Sequence, residues 1–278
     1  MDNTEFDNDE IIEALQRSGY LLESEISKFL TQASFFVESN QVILDPITGK
    51  NREIDLIAEY YNWDRPADRH KCCAKIRFVF EIKNNNTPFV LLTEYQFTPT
   101  IEDGDGLKEK ITIPEGIRYD SFESYYKELI HSNKFSIFTQ YCSFQRKKEK
   151  SKELMAIHPD NVASGLDKIV QYCEVKFEER ETIENSDGYF RHFINIPILL
   201  IADDLFELQL TENNQPILTK VDSSILISNY HDENREPTMA FVFVVTKKGL
   251  ESFIQYMLEL EKKIQTDLEQ IRIKHQPI

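Results

Sequence analysis

Short apolar segments with a two-residue period alternate along this chain with longer segments of helical period, and this order restricts it to a layered fold of sheet and helices. The segments with a helical pattern are residues 9–36 (with a break at Ser18-Gly19), 122–130, 159–177 and 248–273. The strand-like segments are residues 35–44, 53–61, 75–83, 89–93, 196–202, 205–210, 217–221, 225–228 and 240–246. We therefore expect an α/β fold with a mixed β-sheet core flanked by helices.

The length of 278 residues suits one domain, with a core over about 9–93 and 157–202, an insertion over about 95–155 and C-terminal strands and a helix over 203–278. Its longest apolar run, near 194–202, is interrupted and much shorter than the roughly 20 residues that span a bilayer, so we expect no membrane contact. The acidic N-terminus lacks an apolar signal segment, which indicates a cytoplasmic protein. The four cysteines lack the paired spacing of a zinc site, which indicates reduced thiols.

The formal net charge of −16 opposes non-specific binding to nucleic acid, although a local basic groove can coexist with an acidic exterior. One basic run lies near the end of the insertion and consists of Arg146, Lys147, Lys148, Lys150 and Lys152. Several cations in one place can contact a phosphate backbone, so these residues are candidate nucleic-acid contacts. A solvated helix face or loop is the alternative explanation of the run.

Two of the predicted strands carry acidic residues that an antiparallel pairing brings together. Side chains alternate between the faces of a strand, so Glu81 and Lys83 share one face of the third strand. On the second strand, Asp55 and Ile57 share a face, and pairing of the two strands can place Asp55 beside Glu81. Two carboxylates with a backbone carbonyl, such as that of Ile82, make an oxygen site suited to Mg²⁺. Lys83 beside that site can stabilise negative charge on a phosphate.

This pattern resembles the PD-(D/E)xK nuclease superfamily, which has the restriction-endonuclease-like fold. The family carries an acidic residue on a first helix, an Asp on a second strand and Glu-x-Lys on a third, and these match Glu23, Asp55 and Glu81-Ile82-Lys83. The match covers about residues 10–93, and it departs from the family pattern in having Ile54 rather than a proline before Asp55.

The resemblance implies a function and a role for each matched residue. Asp55 and Glu81 become ligands of Mg²⁺ or Mn²⁺, Lys83 the catalytic lysine and Glu23 an auxiliary acid. The implied activity is endonucleolytic hydrolysis of phosphodiester bonds in nucleic acid, with DNA favoured because most of the family acts on DNA. Restriction, defence and repair are all compatible with such an activity.

Context, rather than the triplet alone, supports this assignment. The spacing Glu-x-Lys occurs three times, at Glu81–Lys83, Glu174–Lys176 and Glu261–Lys263. The second lies at the end of a helical pattern and the third lies within the closing helix. Only the first ends an apolar strand with an Asp-bearing strand upstream.

Other interpretations of these residues stay open. Asp55 can pair with Lys83 without any metal, since a charge within a strand must be paired or solvated. Glu23 shares a helix stripe with Ile26, whereas Glu25 lies on a neighbouring stripe, and we prefer Glu23 as the site acid.

Two further functions remain open at the level of the whole chain. The fold can serve as a catalytically silent module that binds protein or nucleic acid, or it can be an unrelated α/β enzyme with a small-molecule pocket. The closing helix leaves a homodimer open as well.

Overall fold

A computed structural model of the protein describes residues 7–45, 49–60, 71–95, 106–119, 125, 127–130, 134–147, 153–178, 188–232 and 236–275. Within these ranges no helix is long and apolar enough to cross a membrane. The helices are α1 (Asn8–Ser18), α2 (Tyr20–Gln32), α3 (Lys127–Ile130), α4 (Asp160–Glu178) and α5 (Leu250–Lys274). The strands are β1 (Phe35–Leu44), β2 (Asn51–Tyr60), β3 (Cys72–Lys83), β4 (Phe89–Glu94), β5 (Lys108–Thr112), β6 (Ile137–Arg146), β7 (Leu154–Ile157), β8 (Phe190–Ile201), β9 (Leu205–Leu210), β10 (Pro216–Val221), β11 (Ser223–His231) and β12 (Pro237–Thr246).

The strands form a mixed sheet in the order β1-β2-β3-β8-β12-β11-β6-β4-β9-β10, with β5 paired to β8 and β7 paired to β6. β1, β2 and β3 form an antiparallel meander. β3 then pairs with β8 in parallel, from Cys72↔Phe190 to Lys83↔Ile201, and β8 pairs in parallel with β12. The expected mixed α/β architecture is therefore confirmed.

A glycine divides the first predicted helix into two. Gly19 adopts a φ of 93°, a left-handed conformation that a glycine tolerates without steric cost, and it ends α1 and precedes α2. α2 buries Leu22, Ile26 and Leu30 against the sheet, while α1 buries no side chain.

The central strands of the sheet are covered on both faces, and β3 shows how its side chains divide between the two faces. Phe78, Phe80 and Ile82 face a core that α2 and α5 complete. Val79 faces the opposite core, which α4 covers with the apolar side of its helix. Because β8 is central and covered on both sides, its second half, residues 196–201, is entirely apolar. β3 instead carries charged side chains on its α4 face, and these charges need partners.

The first half of β3 extends beyond its pairing with β2, and α5 supplies hydrogen-bonding groups there. The N–H of Ile76 donates to Glu261 Oε2 at 3.0 Å, and the N–H of Ala74 donates to Gln265 Oε1 at 2.7 Å. Glu261 belongs to one of the three Glu-x-Lys triplets, and it is buried as a partner of the strand backbone. The helical context predicted for that triplet is therefore confirmed.

The described residues between β4 and α4 contribute strands β5, β6 and β7, all of which pair with other strands of the fold. β5 runs antiparallel to β8 and brings Glu109 to His192, whose Nε2 lies 2.6 Å from Glu109 Oε2. The other ring nitrogen of His192 lies 3.0 Å from the hydroxyl of Tyr119. His192 is thus fully buried in a polar network. None of the four cysteines, all of which lie in the described ranges, forms a disulfide.

Opposite charges join β2 and β3 on the α4 face. Lys75 Nζ lies 2.6 Å from Glu59 Oε2, and the guanidinium of Arg77 pairs with Glu59 Oε1. Burial alone raises the pKa of Glu59, but the charges of Arg77 and Lys75 outweigh burial and hold this pKa below its usual value.

Replacing this carboxylate by an amide tests its contribution to stability. Because folding lowers the pKa of Glu59, its stabilisation is present above the ordinary carboxyl pKa and is lost as the pH falls through the lower folded-state value. We expect Glu59→Gln to reduce the free energy of unfolding by about 2 kcal/mol at neutral pH and by much less in acid. Urea unfolding at both pH values checks this, with the exposed Glu53→Gln on the same strand as the control. An equal loss at both pH values would contradict the expectation.

Candidate metal and catalytic site

The pairing of β2 with β3 brings the two predicted metal ligands together. Leu56 aligns with Phe80, so Asp55 and Glu81 are the next residues along the two strands. Asp55 Oδ2 accepts a hydrogen bond of 2.7 Å from the N–H of Ile82, which ties its carboxylate to β3. Glu81 is only 3% exposed, and it lies on the face that α4 covers.

Lys83 lies at the end of β3 with its ammonium group on the Glu81 carboxylate. Lys83 Nζ is 2.6 Å from Glu81 Oε1, and the side chain of Lys83 is one-fifth exposed. The sequence left open an ion pair between Asp55 and Lys83 in place of a metal site. In the structure Asp55 pairs with a different lysine, Lys168.

Lys168, on α4, is the member of the site that the sequence analysis missed. Its Nζ lies 3.0 Å from Asp55 Oδ1 and contacts Glu81 Oε2 as well, so one ammonium group bridges the two carboxylates. The side chain of Lys168 is 13% exposed. The signal that could have found it is its helix position, because Gly165 and Tyr172, three residues before and four after, are both buried.

Gly165 allows α4 to approach the buried carboxylate. A Cβ atom at this position would lie 2.5 Å from Glu81 Oε1 and 2.6 Å from its carboxyl carbon, which is closer than real Cβ contacts. The glycine therefore sets how near the helix lies to β3, and through that distance it sets where Lys168 reaches the two acids.

The site holds two acidic and two basic groups in contact. Burial lowers the pKa of Lys168, but the charges of Glu81 and Asp55 outweigh burial and raise this pKa above its usual value. Lys168 therefore carries its full positive charge at neutral pH.

Glu23 lies at the margin of this group, on α2. It is partly buried, and that burial, together with the negative charges of Asp55 and Glu81, raises its pKa. Its neighbour Glu25 instead pairs with Lys247 at the surface. The structure thus places Glu23 within electrostatic reach of the two strand acids.

Two further contacts position α4 and the strand ends around the site. Arg52 pairs with the fully buried Asp45 and reaches the backbone oxygen of Ser164 on α4 at 3.5 Å. The N–H of Ala202 donates to the backbone oxygen of Lys83 at 3.0 Å, which connects the ends of β3 and β8. The site is therefore built on regular elements that are joined to each other.

The basic run is described only at its beginning. Arg146 ends β6 and is exposed, and Lys147 lies 3.0 Å from Glu153 in an exposed ion pair. Such a pair at the surface contributes little to stability, so Lys147 can exchange Glu153 for another anion. Lys148, Lys150 and Lys152 lie outside the described residues.

The donor chemistry of the site suits a hard divalent cation, although the ligand set is small. Carboxylate oxygens are the ligands that Mg²⁺ prefers, and Asp55 and Glu81 present them side by side. In the described part of the chain, no group of three or more His, Cys, Asp or Glu side chains is arranged to hold a metal ion. An ion at this position therefore depends on these two carboxylates together with water, backbone or substrate oxygens.

Comparisons of the chain with protein-family models, with curated proteins and with solved structures found no match. The residues and their geometry are therefore the basis for assigning a function.

Substituting Gly165 tests whether the approach of α4 to Glu81 is required. An alanine usually stabilises a helix interior by about 0.5–1 kcal/mol relative to glycine. We expect the opposite for Gly165→Ala, a loss of roughly 1–3 kcal/mol, because the added methyl group meets a buried carboxylate. Denaturant unfolding measures the difference, and the exposed Ser164→Ala on the same helix is the control. A variant as stable as the wild type would show that α4 can move away from β3 freely.

Proposed function

We propose that the protein is a Mg²⁺-dependent nuclease of the restriction-endonuclease-like fold that hydrolyses phosphodiester bonds. The observation that carries this proposal is the convergence of Asp55, in the middle of β2, with Glu81 and Lys83 at the end of β3. The order of elements supports it too, since an antiparallel β1-β2-β3 meander follows α2, and α4 leads into β8, which is parallel to β3.

Each residue has a chemical role in such a reaction. Asp55 and Glu81 would hold the cation, which would supply Lewis-acid chemistry to a phosphate oxygen and to a water molecule. Lys83 contacts the Glu81 carboxylate, and its positive charge stabilises negative charge that develops on the phosphate. Glu23 has a raised pKa and can exchange a proton at the margin of the site.

Nucleic acid is the substrate class that this chemistry favours, and the family resemblance favours DNA. The net charge of −16 requires that any phosphate backbone is held by local cations rather than by the overall field. Lys83 and Lys168 provide two such cations at the site, and Arg146 and Lys147 provide two on β6 and the residues after it.

A second candidate function is a silent module that binds a partner without catalysis. One observation favours it: the charges of Asp55, Glu81, Lys83 and Lys168 satisfy one another directly. A network of this kind can stabilise a fold without binding a metal ion. The two candidates differ in whether the cluster also binds and uses a divalent cation.

Cleavage assays separate the two candidates. Supercoiled plasmid, single-stranded DNA and RNA are incubated with Mg²⁺ or Mn²⁺ and with wild-type protein, Asp55→Asn or Lys83→Met. We expect metal-dependent cleavage by the wild type and a loss of at least about 100-fold in both variants, because each lacks a group that acts on the reacting phosphate.

Two matched controls accompany these variants. Glu53→Gln removes an exposed acid two residues before Asp55, and Lys147→Met removes an exposed lysine of the basic run. Both should retain cleavage, with at most a change in affinity for Lys147→Met. Cleavage that survived Asp55→Asn and Lys83→Met would contradict the assigned site. Absence of cleavage on every substrate, with no binding of Mn²⁺, would favour the silent module.

A further inference from the structure

We infer that Lys168 is a built-in competitor of the divalent cation, so that its ammonium group must leave the two carboxylates before the metal ion binds. This inference rests on the proposed function, and it assigns a regulatory role to a residue outside the Glu-x-Lys pattern. It predicts that the wild-type protein binds Mg²⁺ and Mn²⁺ weakly because a cation of its own holds the same oxygens.

The contacts of Lys168 place its charge where a metal ion would act. Its ammonium group touches one oxygen of each acid, Oδ1 of Asp55 at 3.0 Å and Oε2 of Glu81. The other oxygen of each acid is also engaged, Oδ2 by the N–H of Ile82 and Oε1 by Lys83. The oxygens that face each other across the site are therefore the ones that Lys168 bridges.

A metal ion and the ammonium group cannot share this bridge. Mg²⁺ binds oxygen ligands at about 2.1 Å, so an ion on the same two oxygens would lie against the ammonium group. The two cations would repel strongly in a site from which water is largely excluded. Binding of one therefore requires departure of the other.

The packing of α4 shows why Lys168, rather than Lys83, has this role. Gly165 holds the helix against Glu81, one turn before Lys168, and fixes the base of the lysine side chain over the strands. Lys83 contacts a single acid and is more exposed, so its ammonium group can move aside while the β3 backbone stays in place. Lys168 can withdraw only by rotating its long side chain away from both acids.

The consequence is a site that is stable without a metal ion. Lys168 leaves the two carboxylates only when a divalent cation binds them more favourably. With Lys168 in place the two acids are compensated, so the fold does not depend on a bound ion. When Lys168 is replaced by a neutral residue, the buried Glu81 and the partly buried Asp55 lose the ammonium group that bridges them, and a divalent cation becomes the compensating charge.

Calorimetric titration of Mn²⁺ into the 278-residue protein tests this inference without any activity assay. The proteins are the wild type, Lys168→Met, Lys83→Met and the double variant Lys168→Met with Asp55→Asn. We expect Lys168→Met to bind Mn²⁺ about tenfold or more tightly than the wild type, because a competing positive charge is gone. Lys83→Met, the matched control, should change the affinity less, and the double variant should lose binding.

The outcomes separate the inference from the proposed function. Tighter binding by Lys168→Met supports both. Binding by the wild type that Lys168→Met leaves equal or weaker overturns the competition and leaves the metal site standing. No binding by any of these proteins overturns the metal-dependent function and, with it, the inference. If Lys168→Met is too unstable for calorimetry without metal, thermal unfolding is measured with and without Mn²⁺. The ion should then raise the melting temperature of Lys168→Met by more than it raises that of the wild type.

Discussion

Burial of the Glu81 carboxylate is the constraint on which the rest of this site depends. A charge at 3% exposure, on a central strand, must be compensated by partners that the fold itself supplies. Lys83 supplies one partner from the same strand and Lys168 supplies another from α4. Both lysines contact the Glu81 carboxylate directly. The charges of the site are therefore balanced only while β3 stays paired with its neighbours and α4 stays in its position.

The side of helix α4 that faces the sheet therefore has two roles, one in the core and one in the site. Its apolar side covers the sheet, and its Gly165 and Lys168 accommodate and neutralise the carboxylates beneath it. Arg52 on β2 contacts the same helix directly at the backbone oxygen of Ser164, and it is held by an ion pair with the buried Asp45. A shift of α4 relative to β3 would change the core and the site together, which is typical of sites held by regular elements rather than by loops.

The sequence predicted the local parts of this structure better than the long-range ones. Alternation on β2 and β3 correctly placed Asp55 beside Glu81, because a strand period of two leaves few alternatives once two strands pair. The helix-forming pattern of α4 was recognised, yet Lys168 was not, because a lysine on a helix is usually solvated and its partner Asp55 lies 113 residues away along the chain. His192 and Glu261 were missed for the same reason, since buried polar groups depend on tertiary neighbours that periodicity does not reveal.

We propose Asp55 and Glu81 as a divalent-cation site that the ammonium group of Lys168 occupies when no metal ion is bound. Anomalous scattering from crystals grown in Mn²⁺ shows where the ion binds. We expect an anomalous peak between the two carboxylates, with the ammonium group of Lys168 displaced from both. Lys168 still bridging Asp55 and Glu81 at saturating Mn²⁺, with no peak beside them, would contradict it.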